Sequence, residues 1–79
     1  MDLLETYQKS VWVIRYLKKH QRGVASPGVN IDEIARAFRI KRADIYPAID
    51  YLIKEGYVVR PDESNDGLIR LTYKALTTL

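Results

Sequence analysis

The sequence has 79 residues, room for one small domain, and its 47% hydrophobic and 29% charged residues are the proportions of a folded globular chain rather than a disordered one. It contains no cysteine, which excludes disulfide staples, thiol catalysis and cysteine-ligated zinc or iron–sulfur centres. The net charge of +3 is uneven: from Arg15 to Arg42 eight basic residues stand against two acidic ones, so that segment carries +6 and the remainder −3, a block that points to a polyanionic partner.

No apolar run reaches the ~18–20 residues of a membrane helix, and the acidic start at Asp2 and Glu5 lacks the basic region of a signal peptide. A cytoplasmic single domain over residues 1–79 is expected. Along the chain, Leu3, Leu4, Tyr7, Val11, Ile14 and Leu17 recur at helical spacing, which predicts a first helix over about residues 2–20 with Lys18, Lys19 and His20 at its C-terminal end. A loop through Ser26, Pro27 and Gly28 leads to Asn30, an N-cap candidate with Glu33 placed for a capping box.

Ile31, Ile34, Ala35 and Phe38 predict a short second helix over about 31–38. Ile45, Ala48, Ile49, Leu52 and Ile53 predict a third over about 42–55, with Gly56 as a left-handed cap. The period then shortens to two. Tyr57 to Val59 and Leu68 to Tyr73, joined through Ser64, Asn65, Asp66 and Gly67, predict a hairpin over about 57–73, and Thr72 is placed to cap a last turn carrying Leu76 and Leu79. This order describes an α+β winged helix-turn-helix of three helices and a two-stranded wing.

The run Ala43 to Val59, with Tyr46, Pro47, Ile49, Leu52 and Gly56, followed by Leu71 and Thr72, resembles the PadR-like branch of winged-helix transcriptional regulators, within the MarR-like superfamily. The resemblance implies sequence-specific duplex DNA binding as a dimer, with repression rather than activation as the outcome. The family's long dimerisation helix finds no counterpart here. A symmetric homodimer built on Trp12, Tyr16, Leu76 and Leu79 is expected instead, because Trp12 and Tyr16 fall beside Met1 and Val13 on the side of the first helix away from its apolar stripe.

On a wheel of the third helix with Ile45, Ile49 and Leu52 inward, Ala43, Pro47, Asp50 and Lys54 face outward, flanked by Asp44, Tyr46 and Tyr51. The first turns of a recognition helix read the major groove. The expected DNA-binding set of this helix is therefore Lys41, Arg42, Ala43, Asp44, Tyr46, Pro47 and Asp50, with Lys41 and Arg42 reaching a guanine edge or a phosphate and Tyr46 along the sugar-phosphate wall, and with Arg36, Arg39, Lys18, Lys19 and Arg22 on phosphates. Arg60 and Arg70 are the wing's candidates, although Asp62, Glu63 and Asp66 make its tip acidic. Pro47 admits two helix starts: at Lys41, which puts a proline in the interior, or at Asp44, which puts it in the first turn and is preferred energetically.

His20 has no carboxylate or cysteine partner at metal-ligand spacing, the serines have no histidine base, and there is no Gly-rich phosphate loop. No catalytic residue, metal, cofactor or small-molecule effector is expected, and the chain does not read as an enzyme. A second function stays open: a winged-helix protein–protein interaction or assembly module without direct DNA contact, favoured by the acidic wing and the Trp12/Tyr16 stripe.

Overall fold

The computed structural model describes residues 3–21, 23 and 26–78. Met1, Asp2, Arg22, Val24, Ala25 and Leu79, with the side chain of Leu3, lie outside the described residues, so the roles expected of Arg22 and Leu79 fall outside them too. The elements are α1 (Leu3–His20), β1 (Val29–Asn30), α2 (Ile31–Ala37), α3 (Arg42–Lys54), β2 (Val58–Val59), β3 (Leu68–Leu71) and α4 (Tyr73–Thr78). This is an α+β winged helix. Its sheet has three strands rather than two, in the antiparallel order β1-β3-β2, and a fourth helix follows the wing.

The added strand is short because its residues serve two elements. Val29 pairs with Ile69 and Asn30 with Leu68. The Asn30 side chain then accepts from Asp32 N at 2.8 Å, capping α2 as expected. The reciprocal half of a capping box is not formed, because the Glu33 carboxylate instead accepts the Tyr16 hydroxyl at 2.6 Å. At the wing, Val58 pairs with Leu71 and Val59 with Arg70. Thr72 begins α4, its hydroxyl accepting from Ala75 N at 3.3 Å and donating to the Gly56 carbonyl at 2.7 Å.

Ten large side chains form the fully buried centre, from Val13 and Leu17 on α1 through Ile31, Ile34, Ile45, Ile49 and Leu52 to Val58, Ile69 and Leu71. The face that α1 turns to this core is rotated from the apolar stripe. Ser10, Val13 and Leu17 are buried, Val11 and Ile14 are half-buried, and Leu4 and Tyr7 are exposed. Val13 was expected on the outer side. The shift is tolerable because the one polar member, Ser10, donates its hydroxyl to the Thr6 carbonyl at 2.8 Å and carries no unmet bond inside.

Gln21 does what no apolar pattern announces. Beyond Ile69 the β1 edge of β3 loses its partner strand, and Gln21 fills the gap: its amide oxygen accepts from Leu71 N at 2.6 Å and its nitrogen donates to the Leu71 carbonyl at 3.2 Å. The buried side chain thus imitates one residue of a pairing strand.

α3 starts at Arg42 with Lys41 as an N-cap that offers no side-chain bond, so Pro47 lies inside the helix and the start at Asp44 is not adopted. Helix α3 ends at Gly56, whose φ of +80° is the left-handed cap expected of it, with Tyr57 N donating back to the Leu52 carbonyl at 3.0 Å. Arg39, at φ +56°, makes the corresponding reversal after α2 without a glycine, and Ile40 N reaches the Ala35 carbonyl at 2.9 Å. That tight reversal sets α2 across α3.

Candidate functional site

Of the residues expected to contact DNA from α3, Arg42 is exposed and bonded to its neighbours, and Tyr46 and Pro47 are half-buried. Arg42, the central candidate, makes two bonds at the surface. Its Nε donates to the Tyr46 hydroxyl at 2.9 Å, and its Nη1 lies 3.1 Å from Asp32 Oδ2 on α2. A β-carbon at Gly67 in the wing would come within 3.4 Å of its Nη2. The Tyr46 hydroxyl, then Asp32 and Asp66, raise the pKa of this guanidinium further. Arg42 therefore links α3 to α2 at the surface, beside the wing.

Tyr46 packs against the core while its hydroxyl accepts from Arg42, and Pro47 is half-buried, so the tyrosine–proline shoulder is partly inside the molecule. Lys41, Ala43, Asp44 and Asp50 are exposed. Asp50 faces the wing, with Oδ1 3.9 Å from Arg60 Nη2.

The other cations are divided among local contacts and solvent. Arg60 Nε donates to the Asp66 carbonyl at 3.3 Å, Arg70 Nη1 to the Ser26 carbonyl at 3.3 Å, and Arg36 Nε to the Asp32 carbonyl at 3.3 Å. Both wing arginines are thus turned to backbone carbonyls of their own chain. Lys18, Lys19 and Arg39 are exposed. At the wing tip the Asp62 carboxylate accepts from Ser64 Oγ at 2.6 Å and Ser64 N at 2.9 Å, and these bonds hold its pKa below the ordinary value. The tip is firmly anionic.

Trp12 and Tyr16, expected at a dimer interface, both meet aromatic partners within the chain. Trp12 stacks on Phe38 with ring centroids 5.6 Å apart and planes 13° from parallel, and Tyr16 meets Phe38 edge-on at 6.1 Å and stacks on His20 at 4.1 Å. The Glu33 carboxylate that accepts the Tyr16 hydroxyl raises the pKa of that phenol. Leu76, the other described residue of the expected dimer set, is half-buried against the core.

An open apolar cleft lies elsewhere. A cleft of about 230 Å³ between α1 and the end of α3 is lined by Tyr7, Ser10, Val11, Ile14, Tyr51, Leu52 and Tyr57. Tyr7 is 60% and Tyr51 41% exposed, standing at its rims. Tyr57 is fixed from behind, its carbonyl accepting from Thr72 N at 3.0 Å and its ring lying 4.8 Å from Lys74 Nζ, which donates to the Glu55 carbonyl at 2.9 Å. The sequence reading missed this cleft because Tyr7, Val11 and Ile14 share the helical period of true core positions. The usable signal was the polar Ser10 inside that stripe and Tyr51 at the far end of α3.

No helix of the described residues is long and apolar enough to cross a membrane, and among them no cluster of three or more His, Asp or Glu is placed to hold a metal. Residues 6–60, from α1 through β2, match the sequence model of the family described as replication protein A C terminal. No individual curated protein matches the chain significantly. The family match overturns the PadR-like resemblance and, with it, the expectation of a sequence-specific transcriptional regulator or repressor. The features that carried the resemblance, the Gly56 cap, the apolar positions of α3 and the hairpin, serve the geometry of a winged helix in general. Tyr46 is taken up by packing and by Arg42.

Proposed function

Because the chain belongs to the replication protein A C-terminal family, we propose that it is a winged-helix protein-interaction module of a DNA replication or repair assembly, not a reader of operator DNA. One observation carries this reading: the cleft between α1 and α3, with Tyr7 and Tyr51 exposed at its rims above a floor that includes buried Leu52. Tyrosine supplies large contact area at low entropic cost and is enriched where proteins meet. An apolar side chain of a partner segment entering between the two tyrosines removes both rings from water.

The role asks for no catalysis, cofactor or small-molecule effector. The compartment is the one that holds the replicating DNA, which in a eukaryotic cell is the nucleus. Photo-crosslinking tests the proposal. Benzoylphenylalanine at position 51 or 7 forms protein adducts in cells, and the same probe at position 41 does not. Adducts with DNA at position 41, with none at 51 or 7, would refute it.

A further inference from the structure

Trp12 and Phe38 leave a second surface that the α1–α3 cleft does not use. With roughly 100° of rotation per residue, Trp12, Tyr16 and His20 lie on the side of α1 nearly opposite Tyr7, Val11 and Ile14. The two surfaces therefore flank the buried seam of Ser10, Val13 and Leu17 on opposite sides. Trp12 remains 37% exposed despite its stack on Phe38, which makes a shallow apolar shelf at the junction of α1 and α2.

The shelf is edged by positive charge. Arg15 and Lys19 follow Trp12 by three and seven residues on α1, spacings that keep them close to its face, and both are exposed. Arg39 follows Phe38 in the turn. Among the described residues, none of these three side chains has a hydrogen-bond or ion-pair partner. Arg36 is close enough for its charge to act on the Tyr16 hydroxyl. The carboxylate inside the shelf, Glu33, already accepts the Tyr16 hydroxyl at 2.6 Å.

We propose that this face docks an acidic segment of a partner protein, with a Phe or Leu side chain laid on Trp12 and Phe38 and its flanking carboxylates reaching Arg15, Lys19 and Arg39. Charge complementarity selects the acidic partner. A single nucleic-acid strand fits less well. Strand binding relies on successive bases stacking on open aromatic faces along a groove of continuous positive charge. Here Phe38 covers one face of Trp12, His20 and Phe38 cover Tyr16, and Glu33 interrupts the cations. A peptide places its charges at intervals and avoids that carboxylate.

The proposal does not rest on the cleft lined by Tyr51, and the two are tested at separate positions. Trp12 is the sole tryptophan in the sequence, so its fluorescence reports docking directly. The probe is a short tryptophan-free peptide with Phe and Leu at helical spacing among Asp and Glu residues. A second peptide carries Lys and Arg in place of the acids, and oligothymidylate serves as the nucleic-acid probe.

The acidic peptide gives a saturable change in Trp12 emission that weakens with added salt, and the basic peptide gives none. The Arg15→Glu, Lys19→Glu double variant weakens binding roughly tenfold or more, as expected for reversing two exposed charges. Circular dichroism checks its fold, and Arg39→Gln gives a second reading should that variant unfold. No response to the acidic peptide, equal response to the basic one, undiminished binding by a folded variant, or tighter binding of oligothymidylate each overturns the proposal.

Discussion

Replacing Gln21 by Leu tests whether a single side chain stands in for a missing strand. The wild-type amide serves both Leu71 N–H, at 2.6 Å, and Leu71 C=O, at 3.2 Å, on a residue with no exposure to solvent. Leu keeps about the same volume and leaves both backbone groups unpaired. At about 1–3 kcal/mol for each buried group left without a partner, and with some burial gained by the apolar side chain, the net loss is about 2–4 kcal/mol. A domain of this size has only about 4–12 kcal/mol in total, so the melting temperature falls by about 10–25 °C.

Urea and thermal unfolding followed by circular dichroism measure this loss, and exchange of the Leu71 amide reports it locally. Gln21→Glu sharpens the test. Its carboxylate accepts from Leu71 N–H yet faces the Leu71 carbonyl, so burial and that carbonyl raise its pKa above the unfolded value of about 4.3. A raised pKa contributes stability below the unfolded value that is lost as pH rises through the folded one, so this variant approaches wild type only in acid. Gln21→Leu within about 0.5 kcal/mol of wild type, or Gln21→Glu without recovery in acid, refutes the strand-substitute reasoning.

Two glycine substitutions separate backbone strain from collision. At Gly56 the φ of +80° is left-handed, but an added β-carbon approaches nothing closer than Lys74 Nζ at 3.8 Å, so Gly56→Ala costs about 1–2 kcal/mol of unfolding free energy. At Gly28 the φ of +106° is combined with a β-carbon 3.0 Å from the Ile69 carbonyl oxygen and 3.1 Å from Pro61 Cγ, so Gly28→Ala costs more, about 2–4 kcal/mol, and equal losses at the two sites contradict this ranking. In the wing, Ser64→Ala moves the Asp62 pKa part of the way back up, because the hydroxyl bond goes and the Ser64 N–H bond remains. Asp62 has a lowered folded pKa, so its contribution exists above the unfolded value and disappears as pH falls through the folded one; carboxyl NMR titration of both proteins measures the shift.

Much of the fold was legible residue by residue. Ile31, Ile34 and Ala35 at helical spacing, Asn30 ahead of them, Gly56 after Ile53 and the Asn65–Gly67 turn each announce a local geometry through steric or hydrogen-bonding rules that act over a few residues. β1 was not legible, because two residues carry no period. Gln21 was not legible either, because its partner, Leu71, is fifty positions away. The candidate surfaces were harder. Tyr7, Val11 and Ile14 repeat like a core stripe, while Val13 is the position that Leu17 joins in the interior. The period shows that α1 has an apolar face, not how far α3 extends to cover it.

The sequence by itself determined a small winged helix with a cationic middle and an acidic wing tip, because capping, periodicity and charge are properties of neighbouring residues. Only the tertiary structure decided what those charges and rings do. Arg42 meets Asp32, Tyr46 and the wing, Trp12 meets Phe38, and the tyrosines of α1 and α3 are left around an open cleft. These outcomes depend on the angle and rotation at which one helix lies across another, which the packing of the whole core sets and no local pattern encodes.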